Sequence, residues 1–425
     1  MFTLKTNRKR TSRFGKKDPQ YQEINTTPVL CKYIQKKTIS HPSPIGIKSL
    51  GFPMKLDLEY KDTQEIIETP FIQQTAFWSE VKKMQGVDSL AFDFSVRITE
   101  PSVPGRKKTV SGDLLLLLQP VSREHFIAYA PYGPEFAPGE ELRGVFLEEL
   151  SEALRPALSP RCIMIRYDLA WESFWNDEDH YTGDGIWKGP PEKHLQEFRF
   201  NFNTRNWNLK KSNSDILPAH TIYMDLKKDE ESLFKQMKPK TRYNIHLSER
   251  KGVVVRKAGF EEFSTWYALY RETAERNRFF LHPESYFKTV LTAKAANTAS
   301  PAEVVLLLAE KDGIPLAAMF LVLSGNRGTY LYGASSSQNR NTMATYALQW
   351  HAMQFAKNHG CSEYDFFGIA PKPEPSHPLF GLYRFKTGFG GEIHHRLGCW
   401  DYPLHEEMYL YYHSLEMQNQ SYHLA

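Results

Sequence analysis

A dense basic stretch is the first segment whose residue types could do chemistry. Residues 235–257 read KQMKPKTRYNIHLSERKGVVVRK. A run of this kind is most often the solvated face of a helix, but it can also bind the phosphates of RNA or of a nucleotide. Aromatic residues are sparse in it, so it would contact a nucleic acid through the backbone rather than through stacked bases. These residues alone leave both interpretations open.

Metal-binding and nucleotide-binding motifs do not occur in the sequence. The 15 histidines form neither an HExxH motif nor a Cys/His ligand spacing, and there is no P-loop. We interpret the adjacent His394 and His395 as a surface pair. We therefore expect neither a metal nor another cofactor in the reaction.

Alternating short strands and amphipathic helices must position the chemical groups. Residues 77–86 predict a helix that ends in glycine, and residues 138–156 predict a second helix with Phe146, Leu150 and Leu154 on one face. Period-2 alternation and apolar runs predict the strands LAFDFSVRI, GDLLLLLQPV, HFIAYAPYGP and CIMIRYDLAWE. Together these elements form one mixed α/β unit.

A second unit of the same kind begins at His220 with the strand HTIYMDL. The short helix DEESLFKQM follows, and its acidic first turn suits the helix dipole. Residues 303–333 predict a three-stranded antiparallel meander, with turns at Asp312-Gly313 and at Asn326-Arg327-Gly328. Residues 343–358 predict a helix, and YDFFGI predicts the strand after it.

Length and composition limit the class of protein. A chain of 425 residues exceeds the usual size of one core, so we expect two domains. The longest apolar run, Leu114 to Leu118, is far shorter than the roughly 20 residues of a membrane-spanning helix. The four cysteines are scattered without a pairing pattern, which fits a reducing cytoplasm.

The net charge of +4 conceals an asymmetry along the chain. Residues 1–53 hold 11 Lys and Arg against 2 Asp and Glu, which leaves 42 against 47 in the rest. The body is therefore slightly acidic, and we expect no DNA partner. We expect residues 1–53 to form a basic, disordered tail, with a biological start at Met54 as the alternative.

Seven motifs occur in an order that resembles one enzyme family. They are QQTAFWSEVKK, APYGP, TRYNI, ERNRFF, TYLYGASS, YDFFGI and YRFKTGFGG, spread over about residues 60–420. Each is weak alone, but together they resemble the Fem-type (FemABX) peptidoglycan aminoacyltransferases. The chain lacks the heptad-rich helical hairpin that some members insert, so it resembles the minimal form.

The resemblance implies an α/β (α+β) fold of two tandem acetyltransferase-like (GNAT-type) domains, with mixed sheets flanked by helices. The expected domains are residues 54–215, residues 216–404 with the catalytic cleft, and a segment 405–425 that returns to the first domain. The implied reaction moves an amino acid from aminoacyl-tRNA to an amine on the peptide stem of a peptidoglycan precursor. The ester is already activated, so ATP is not required.

The resemblance also implies a catalytic position at Phe385 and Lys386. Attack of an amine on the aminoacyl ester builds a tetrahedral oxyanion, and a fixed ammonium beside it would lower the barrier. Phe385 would shape the cleft.

Further site residues follow from the same resemblance. Lys82 and Arg276 match positions that hold the precursor diphosphate, with Lys83 and Arg278 as neighbouring alternatives. Two more residues match positions near the acceptor peptide, where a carboxylate could position or deprotonate the attacking amine: Asp168 and Tyr332. The candidates for binding tRNA lie in the basic stretch: Lys238, Lys240, Arg242, Arg250 and Lys251. We interpret Trp78 as core and Gly133 of the YGP turn as needed for backbone geometry.

An acyl-CoA-dependent N-acyltransferase of the same fold is the alternative function. That fold binds the CoA pyrophosphate at a glycine-rich loop before a helix. Here the loop reads QNRNTMA, with Asn341 where a glycine is expected, and its side chain would crowd the pyrophosphate. The sequence does not identify the transferred amino acid. It also leaves the acceptor open between a UDP-linked and a lipid-linked muramyl pentapeptide, and the second would place the enzyme at the inner face of the membrane.

Overall fold

A computed structural model describes residues 54–99 and 107–418 of the chain. The prediction of a disordered tail at residues 1–53 lies outside this part. The strands in it are β1 (Lys55–Lys61), β2 (Asp88–Thr99), β3 (Lys107–Pro120), β4 (Phe126–Pro131), β5 (Cys162–Glu172), β6 (Lys210–Lys211), β7 (His220–Asp225), β8 (Val254–Ala258), β9 (Ala302–Lys311), β10 (Ile314–Ser324), β11 (Arg327–Ser335), β12 (Glu363–Asp365) and β13 (Glu392–Pro403).

Helices occur in both halves of the described chain. They are α1 (Ala76–Met84), α2 (Arg143–Leu154), α3 (Lys193–Asn201), α4 (Glu230–Gln236), α5 (Pro239–Arg250), α6 (Phe263–Asn277), α7 (Glu284–Thr292), α8 (Ala344–Asn358), α9 (Phe380–Lys386) and α10 (Glu406–Gln418). Within the described residues, none of them combines the length and the apolar character that a bilayer span needs.

One hydrogen-bonded path runs through the strands in the order β1-β2-β3-β4-β5-β13-β7-β12-β11-β10-β9-β8, and β6 pairs with β13. Most neighbours are antiparallel, but β4 with β5 and β11 with β12 are parallel. The predicted mixed sheet is therefore confirmed. The predicted meander is confirmed as β9, β10 and β11.

Strand β13 joins the two halves of this path. Its first residues, Glu392 to His395, pair with β7, and its later residues, Arg396 to Pro403, pair with β5. A register shift at Gly398, whose φ is +66°, lies just after the change of partner. Because both halves share this strand, the domain boundaries at 215 and 404 stay a prediction.

Three large hydrophobic cores and one small cluster hold the sheet and helices together. The first lies under β2 to β5, where Phe146, Leu150 and Leu154 are fully buried on the predicted face of α2. The second lies between β7, β9 to β12 and helix α8. The third combines both halves, since Phe77 of α1 and Trp266 of α6 belong to it. The burial of these apolar side chains stabilises the helices and strands in their places.

Two element predictions are corrected by the backbone. The strand predicted over YDFFGI, residues 364–369, is observed at Glu363–Asp365 and ends early, because Phe367 takes a left-handed conformation with φ of +58° and turns the chain. The last turn of the meander lies at Gly325 and Asn326 rather than at residues 326–328, because Gly325 takes the positive φ, +52°, and β11 already begins at Arg327.

Candidate active site

Lys386 ends helix α9 and is followed at once by the tight turn Thr387–Phe389. Its side chain is 3% exposed. Nζ donates hydrogen bonds to the carbonyl oxygens of Phe367, at 3.2 Å, and Gly368, at 2.7 Å. Burial lowers the pKa of Lys386 to about 7, although the nearby Asp365 acts in the opposite direction. A protonated Nζ has three donors, so one remains beyond the two carbonyls, and Nζ also lies 5.1 Å from the centre of the Tyr330 ring.

The two carbonyls are held in place by an unusual backbone conformation. Phe367 has φ of +58°, which is strained for a bulky side chain and persists only where its surroundings impose it. Asp365 imposes it, since its Oδ1 accepts the Phe367 N–H at 2.7 Å. Sequence reasoning missed this arrangement. The signal for it was an Asp at the end of a strand, which often closes a turn over its own backbone two residues later.

Asp365 is held in turn by a buried arginine. Arg396, 3% exposed, lies 3.3 Å from Asp365 and donates to the Pro218 carbonyl at 3.0 Å. Its other partners are the Tyr223 hydroxyl, at 2.5 Å, and the face of the Tyr132 ring, 4.2 Å from the guanidinium carbon. A buried charge is tolerated only with such partners. A chain of contacts therefore runs from Tyr132 through Arg396 and Asp365 to the carbonyls that bind Lys386.

The YGP turn supports this chain from the first half of the protein. Tyr132, not Gly133, takes the left-handed conformation, with φ of +52°. Gly133 is required for a different reason: a Cβ there would lie 2.6 Å from Nε2 of Gln74. That amide bonds the backbone of Leu115 and Pro131, so it cannot move freely. The glycine serves a close approach rather than a special φ.

Phe385 lies beside Lys386 but belongs to the second core. Its ring centroid is 4.9 Å from that of Tyr346 and 5.3 Å from that of Phe389. The side chain is partly buried. Its position fixes the end of α9, and thereby the backbone that carries the lysine.

Helix α5 brings the basic stretch to the Lys386 turn. The N–H of Lys238 donates to the Gly388 carbonyl at 2.8 Å, and a Cβ on Gly388 would lie 2.4 Å from Oγ1 of Thr241. Lys238 and Lys240 are exposed and have no salt bridge within the described residues. The first turn of the basic helix is thus adjacent to the turn that follows Lys386.

The other three tRNA-binding candidates differ in their contacts. Arg242 donates to the carbonyls of Lys235 and Met237, so it closes the end of α4. Lys251 donates to the Asn341 carbonyl at 3.0 Å. Arg250 is exposed, with its guanidinium 5.8 Å from the Tyr243 ring. The basic stretch therefore combines exposed charges with charges used to hold the fold.

Lys82 lies between two aromatic rings in a second group of site residues. Its Nζ is 5.2 Å from the Trp78 ring and 5.3 Å from the Tyr286 ring, and it donates to Gln85 at 2.9 Å. Burial lowers the pKa of Lys82 to about 8. The hydroxyls of Tyr286 and Tyr332 are 3.2 Å apart, so Lys82 and Tyr332 share one neighbour.

Arg276 is positioned at the end of β11. Its guanidinium donates to the carbonyl and hydroxyl of Ser335, at 2.9 and 3.0 Å, and to the hydroxyl of Ser337 at 3.1 Å. Burial lowers its pKa, and Arg340 acts in the same direction. The two neighbouring alternatives named from the sequence are more exposed. Arg278 is exposed with φ of +56°, and Lys83 extends into solvent near Glu80.

Asp168 is fully buried on β5. Its Oδ2 accepts the Tyr129 hydroxyl and the Leu217 N–H, each at 2.9 Å, while Oδ1 has no hydrogen-bond partner among the described residues. Burial raises the pKa of Asp168 to about 6. In the part of the chain that the structure covers, no hydrogen bond joins it to Tyr332 or Lys386.

The interpretation of His394 and His395 as a surface pair is wrong. His395 is 2% exposed, its Nδ1 lies 2.9 Å from Nδ1 of His220, and its ring stacks on Trp187 at 3.9 Å. His394 is partly buried. Both lie on β13, and a strand with a neighbour on each side at the middle of the sheet is covered in a way that local sequence does not show.

The chain is similar to known proteins both in sequence and in fold. The FemAB family model matches residues 72–302 and 302–417. The lipid II:glycine glycyltransferase of Staphylococcus saprophyticus is 24% identical over 251 residues, 46% of this chain and 60% of the relative. That of Staphylococcus aureus (strain USA300) is 23% identical over 256 residues, again 46% of this chain, and 61% of the relative. The match thus spans about three fifths of these relatives' length.

A solved structure agrees over a longer span. The crystal structure of FemX superimposes with a TM-score of 0.61 at 19% identity, and the match covers 83% of this chain and 96% of that one. The likeness shows the fold, and it confirms the fold class expected from the sequence.

Proposed function

The chain belongs to the FemAB family, and on this premise we propose that it transfers an amino acid from aminoacyl-tRNA to an amine on the peptide stem of a peptidoglycan precursor. The relatives' names refer to glycyl transfer onto lipid II. A lipid-linked acceptor is therefore favoured over the UDP-linked one, and a charged-tRNA donor would place the reaction in the cytoplasm.

The observation that carries the proposal is the environment of Lys386. Two of the three donors of its ammonium are used by the carbonyls of Phe367 and Gly368, and the third can point at a developing oxyanion. The acceptor amine attacks the ester carbon, the oxyanion forms, and collapse releases the tRNA ribose hydroxyl, which takes up the proton that the amine loses. An ammonium held in place by these two carbonyls would stabilise this oxyanion.

Access to Nζ requires movement, because Lys386 is 3% exposed. The Phe367–Gly368 segment, whose carbonyls contact Nζ, and the short helix α9, which carries Lys386, are the two elements whose movement would change its exposure. We propose that binding of the acceptor stem shifts one of them and exposes the free donor. Binding energy from a remote part of the substrate is commonly used in this way.

The donor tRNA would lie along the start of α5. Lys238 and Lys240 are exposed there, and their helix is bonded to the turn after Lys386. A phosphate contact near Lys238 would leave the terminal ester close to Nζ. Arg250 extends the same helix, while Arg242 and Lys251 would act by holding the fold.

The acceptor would lie across Lys82, Tyr332 and Arg276. Lys82 supplies a charge in an aromatic surrounding and Arg276 a guanidinium at the end of β11, which suits a diphosphate. Asp168 would act as a positioning residue, because it fixes the N–H of Leu217 next to Pro218, whose carbonyl binds Arg396.

The loop before α8 bears on the acyl-CoA alternative. Two non-glycine residues in it, Asn339 and Met343, take left-handed conformations with φ of +49° and +59°. A pyrophosphate against these backbone amides would meet side chains where a glycine-rich loop has none. The loop therefore favours a donor that does not bind there.

The test is transfer of radiolabelled amino acids from a pool of charged tRNA to both muramyl pentapeptide acceptors, with acetyl-CoA as the competing donor. Lys386→Ala should lower the rate by about 100- to 1,000-fold. The matched control is Lys357→Ala, since Lys357 also donates to two carbonyls, those of Leu226 and Lys228, and should keep its activity. Unchanged transfer by Lys386→Ala, or turnover with acetyl-CoA alone, would contradict the proposal.

A further inference from the structure

Strand β11 contains one extra residue beside the proposed site. Tyr330 pairs with Leu321 of β10. Tyr332 pairs with Phe320, the residue before it in β10, so Leu331 is the extra residue of a β-bulge. Bulges of this kind re-aim the side chains of the strand that contains them, and they are frequent next to active sites.

The bulge places two tyrosines on opposite faces of the sheet. Residues two apart in a regular strand share a face, so Tyr330 and Tyr332 would otherwise point the same way. Instead Tyr330 packs against the second core and Tyr332 against the third. The hydroxyl of Tyr332 contacts that of Tyr286, whereas the ring of Tyr330 contacts Lys386. One strand therefore supplies a tyrosine to each of the two groups of site residues.

The ring of Tyr330 lies over the amine of Lys386. Nζ is 5.1 Å from the ring centre, within the roughly 6 Å at which a cation is attracted to an aromatic face. This attraction is stronger where water is excluded, and Lys386 is almost fully buried while Tyr330 is partly buried. The charged group that acts on Lys386 is Asp365 of β12. A carboxylate on β12 and a ring on β11 thus both favour the ammonium against the cost of burial.

Gly333 leaves room for the hydroxyl end of the same ring. A Cβ on Gly333 would lie 1.7 Å from the Tyr330 hydroxyl oxygen and 2.3 Å from its Cζ. A larger residue at this position would displace the ring. The bulge therefore sets the face to which Tyr330 points, and the glycine lets the ring lie close to its own strand.

We propose that Tyr330 is a positioning residue that holds Lys386 as an ammonium through the face of its ring. The inference rests on the proposed function, in which that ammonium stabilises the oxyanion. The carbonyls of Phe367 and Gly368 accept from either form of the amine. The ring attracts the positive charge that comes with the third donor, so it adds a preference for the charged form.

The first experiment measures the pKa of Lys386 directly, by NMR titration of protein labelled with ¹³C at the lysine Cε. The signal is assigned by its absence in Lys386→Arg. Tyr330→Leu should lower the pKa of Lys386 by about 0.5 to 1.5 pH units, because the ammonium loses the aromatic face. Tyr330→Phe keeps the ring and should leave that pKa unchanged.

The matched control is Tyr346→Leu. Tyr346 is also a partly buried tyrosine, and its ring packs 4.9 Å from that of Phe385, on the helix that carries Lys386. Its removal loosens the packing of α9 but takes no ring from Nζ. We expect Tyr346→Leu to lower the free energy of unfolding without changing the pKa of Lys386.

Two further variants keep an aromatic ring at position 330. Pentafluorophenylalanine in place of Tyr330 keeps the shape of the ring but removes the negative charge of its face, so it should lower the pKa of Lys386 as Tyr330→Leu does. Gly333→Ala should displace the ring and lower that pKa too. Combined with Tyr330→Leu, it should cause no further decrease, because both changes remove the same contact.

The second readout is kcat against pH. In Tyr330→Leu the decrease in turnover should begin about 0.5 to 1.5 pH units lower than in the wild type, so turnover at about pH 8 should fall roughly 3- to 30-fold. At about pH 5 the two proteins should be nearly equal, since Lys386 is then protonated in both. A role in packing alone would not produce a difference that depends on pH in this way.

An unchanged pKa of Lys386 in Tyr330→Leu would reject the role of the ring. An equal decrease in Tyr330→Phe would assign the effect to the hydroxyl, and an equal decrease in Tyr346→Leu would assign it to the packing of α9. If Tyr330→Leu does not fold, the pentafluorophenylalanine variant decides. The NMR titration does not depend on transfer, so normal transfer with an unchanged pKa would reject the role of Tyr330 alone. A lowered pKa in a protein that transfers no amino acid would contradict the proposed function instead.

Discussion

Burial brings the pKa of Lys386 close to neutral pH. The folded protein lowers its pKa to about 7, and the proposed role requires the ammonium. Two carbonyls accept from either form, so only the third donor distinguishes them. The pH dependence of transfer therefore reports which form acts.

Turnover at saturating substrates should fall as the pH rises through about 7, because Lys386 loses the proton that stabilises the oxyanion. Lys386→Arg keeps its charge and should lack this decrease up to about pH 9, although its rate is lower. The measurement is kcat against pH for both proteins, since deprotonation of the acceptor amine affects both alike. A decrease that persists in the Arg variant would assign it to another group.

As the pH rises, the free energy of unfolding should change in the opposite direction from the turnover number. The unfolded chain binds more protons than the folded one between about pH 7 and the ordinary lysine pKa of 10.5, so the wild-type free energy of unfolding should rise with pH in that window. Lys386→Met should remove this slope and raise the free energy of unfolding near pH 7 by about 1 to 3 kcal/mol.

Urea denaturation at about pH 7 and about pH 9 measures both effects. Lys357→Met is the control, because Lys357 also donates to two carbonyls but is less buried than Lys386. A Lys386→Met protein less stable than the wild type near neutral pH would mean that the two carbonyl contacts outweigh the cost of burying the amine.

At the scale of elements, the basic residues at the start of α5 serve different purposes. Its first turn contacts the Lys386 turn and exposes Lys238 and Lys240, whereas Arg242 closes α4. Composition could not separate these roles, since all are cations in one run. The side-chain partners separate them.

Removal of Lys238 and Lys240 should weaken tRNA binding and make it less sensitive to salt. Two lost phosphate contacts reduce the slope of log K against log salt by roughly 1.5 to 2. Filter binding across a range of salt concentrations measures the slope. The control is Lys55→Ala/Lys108→Ala, which removes the same number of positive charges from β1 and β3. An equal reduction in both double variants would show only a general effect of net charge.

At the scale of the whole molecule, the two halves are coupled by β13 and by the third core. Strand β13 pairs with β7 and then with β5, and the third core joins Phe77 and Tyr129 of the first half to Trp266 and Phe320 of the second. The proposed site also crosses the halves, since Tyr132 supports Arg396. Independent unfolding of either half would expose these shared surfaces.

The described residues should therefore unfold in one transition. Phe320 is fully buried and stacks on Trp266 at 4.2 Å, so Phe320→Ala should cost about 3 to 5 kcal/mol. Hydrogen exchange should show the same decrease in protection for β2 and β3 as for β9 and β10. Phe260→Ala, at an exposed position, is the control, with an expected change below about 0.5 kcal/mol. Unchanged protection of β2 and β3 in Phe320→Ala would mean that the halves unfold separately.

Most helices and strands, and the fold class, follow from local patterns in the amino-acid sequence. Hydrophobic periodicity placed α2 with Phe146, Leu150 and Leu154 inward, and an ordered set of motifs identified the family. These features depend on residues close together in the chain, where spacing translates directly into a face of a helix or strand. The roles of Lys386, Lys82, Arg276, Asp168 and Tyr332 stay predictions.

The surroundings of these residues, in contrast, depend on contacts between distant parts of the chain. The carbonyls that bind Lys386 depend on the φ of Phe367, which depends on Asp365, Arg396 and, from the other half of the chain, Tyr132. The burial of His395 likewise follows from the central place of β13. Partners separated by hundreds of residues leave no local pattern, because burial, desolvation and pKa arise from contacts that exist only after the sheet has formed.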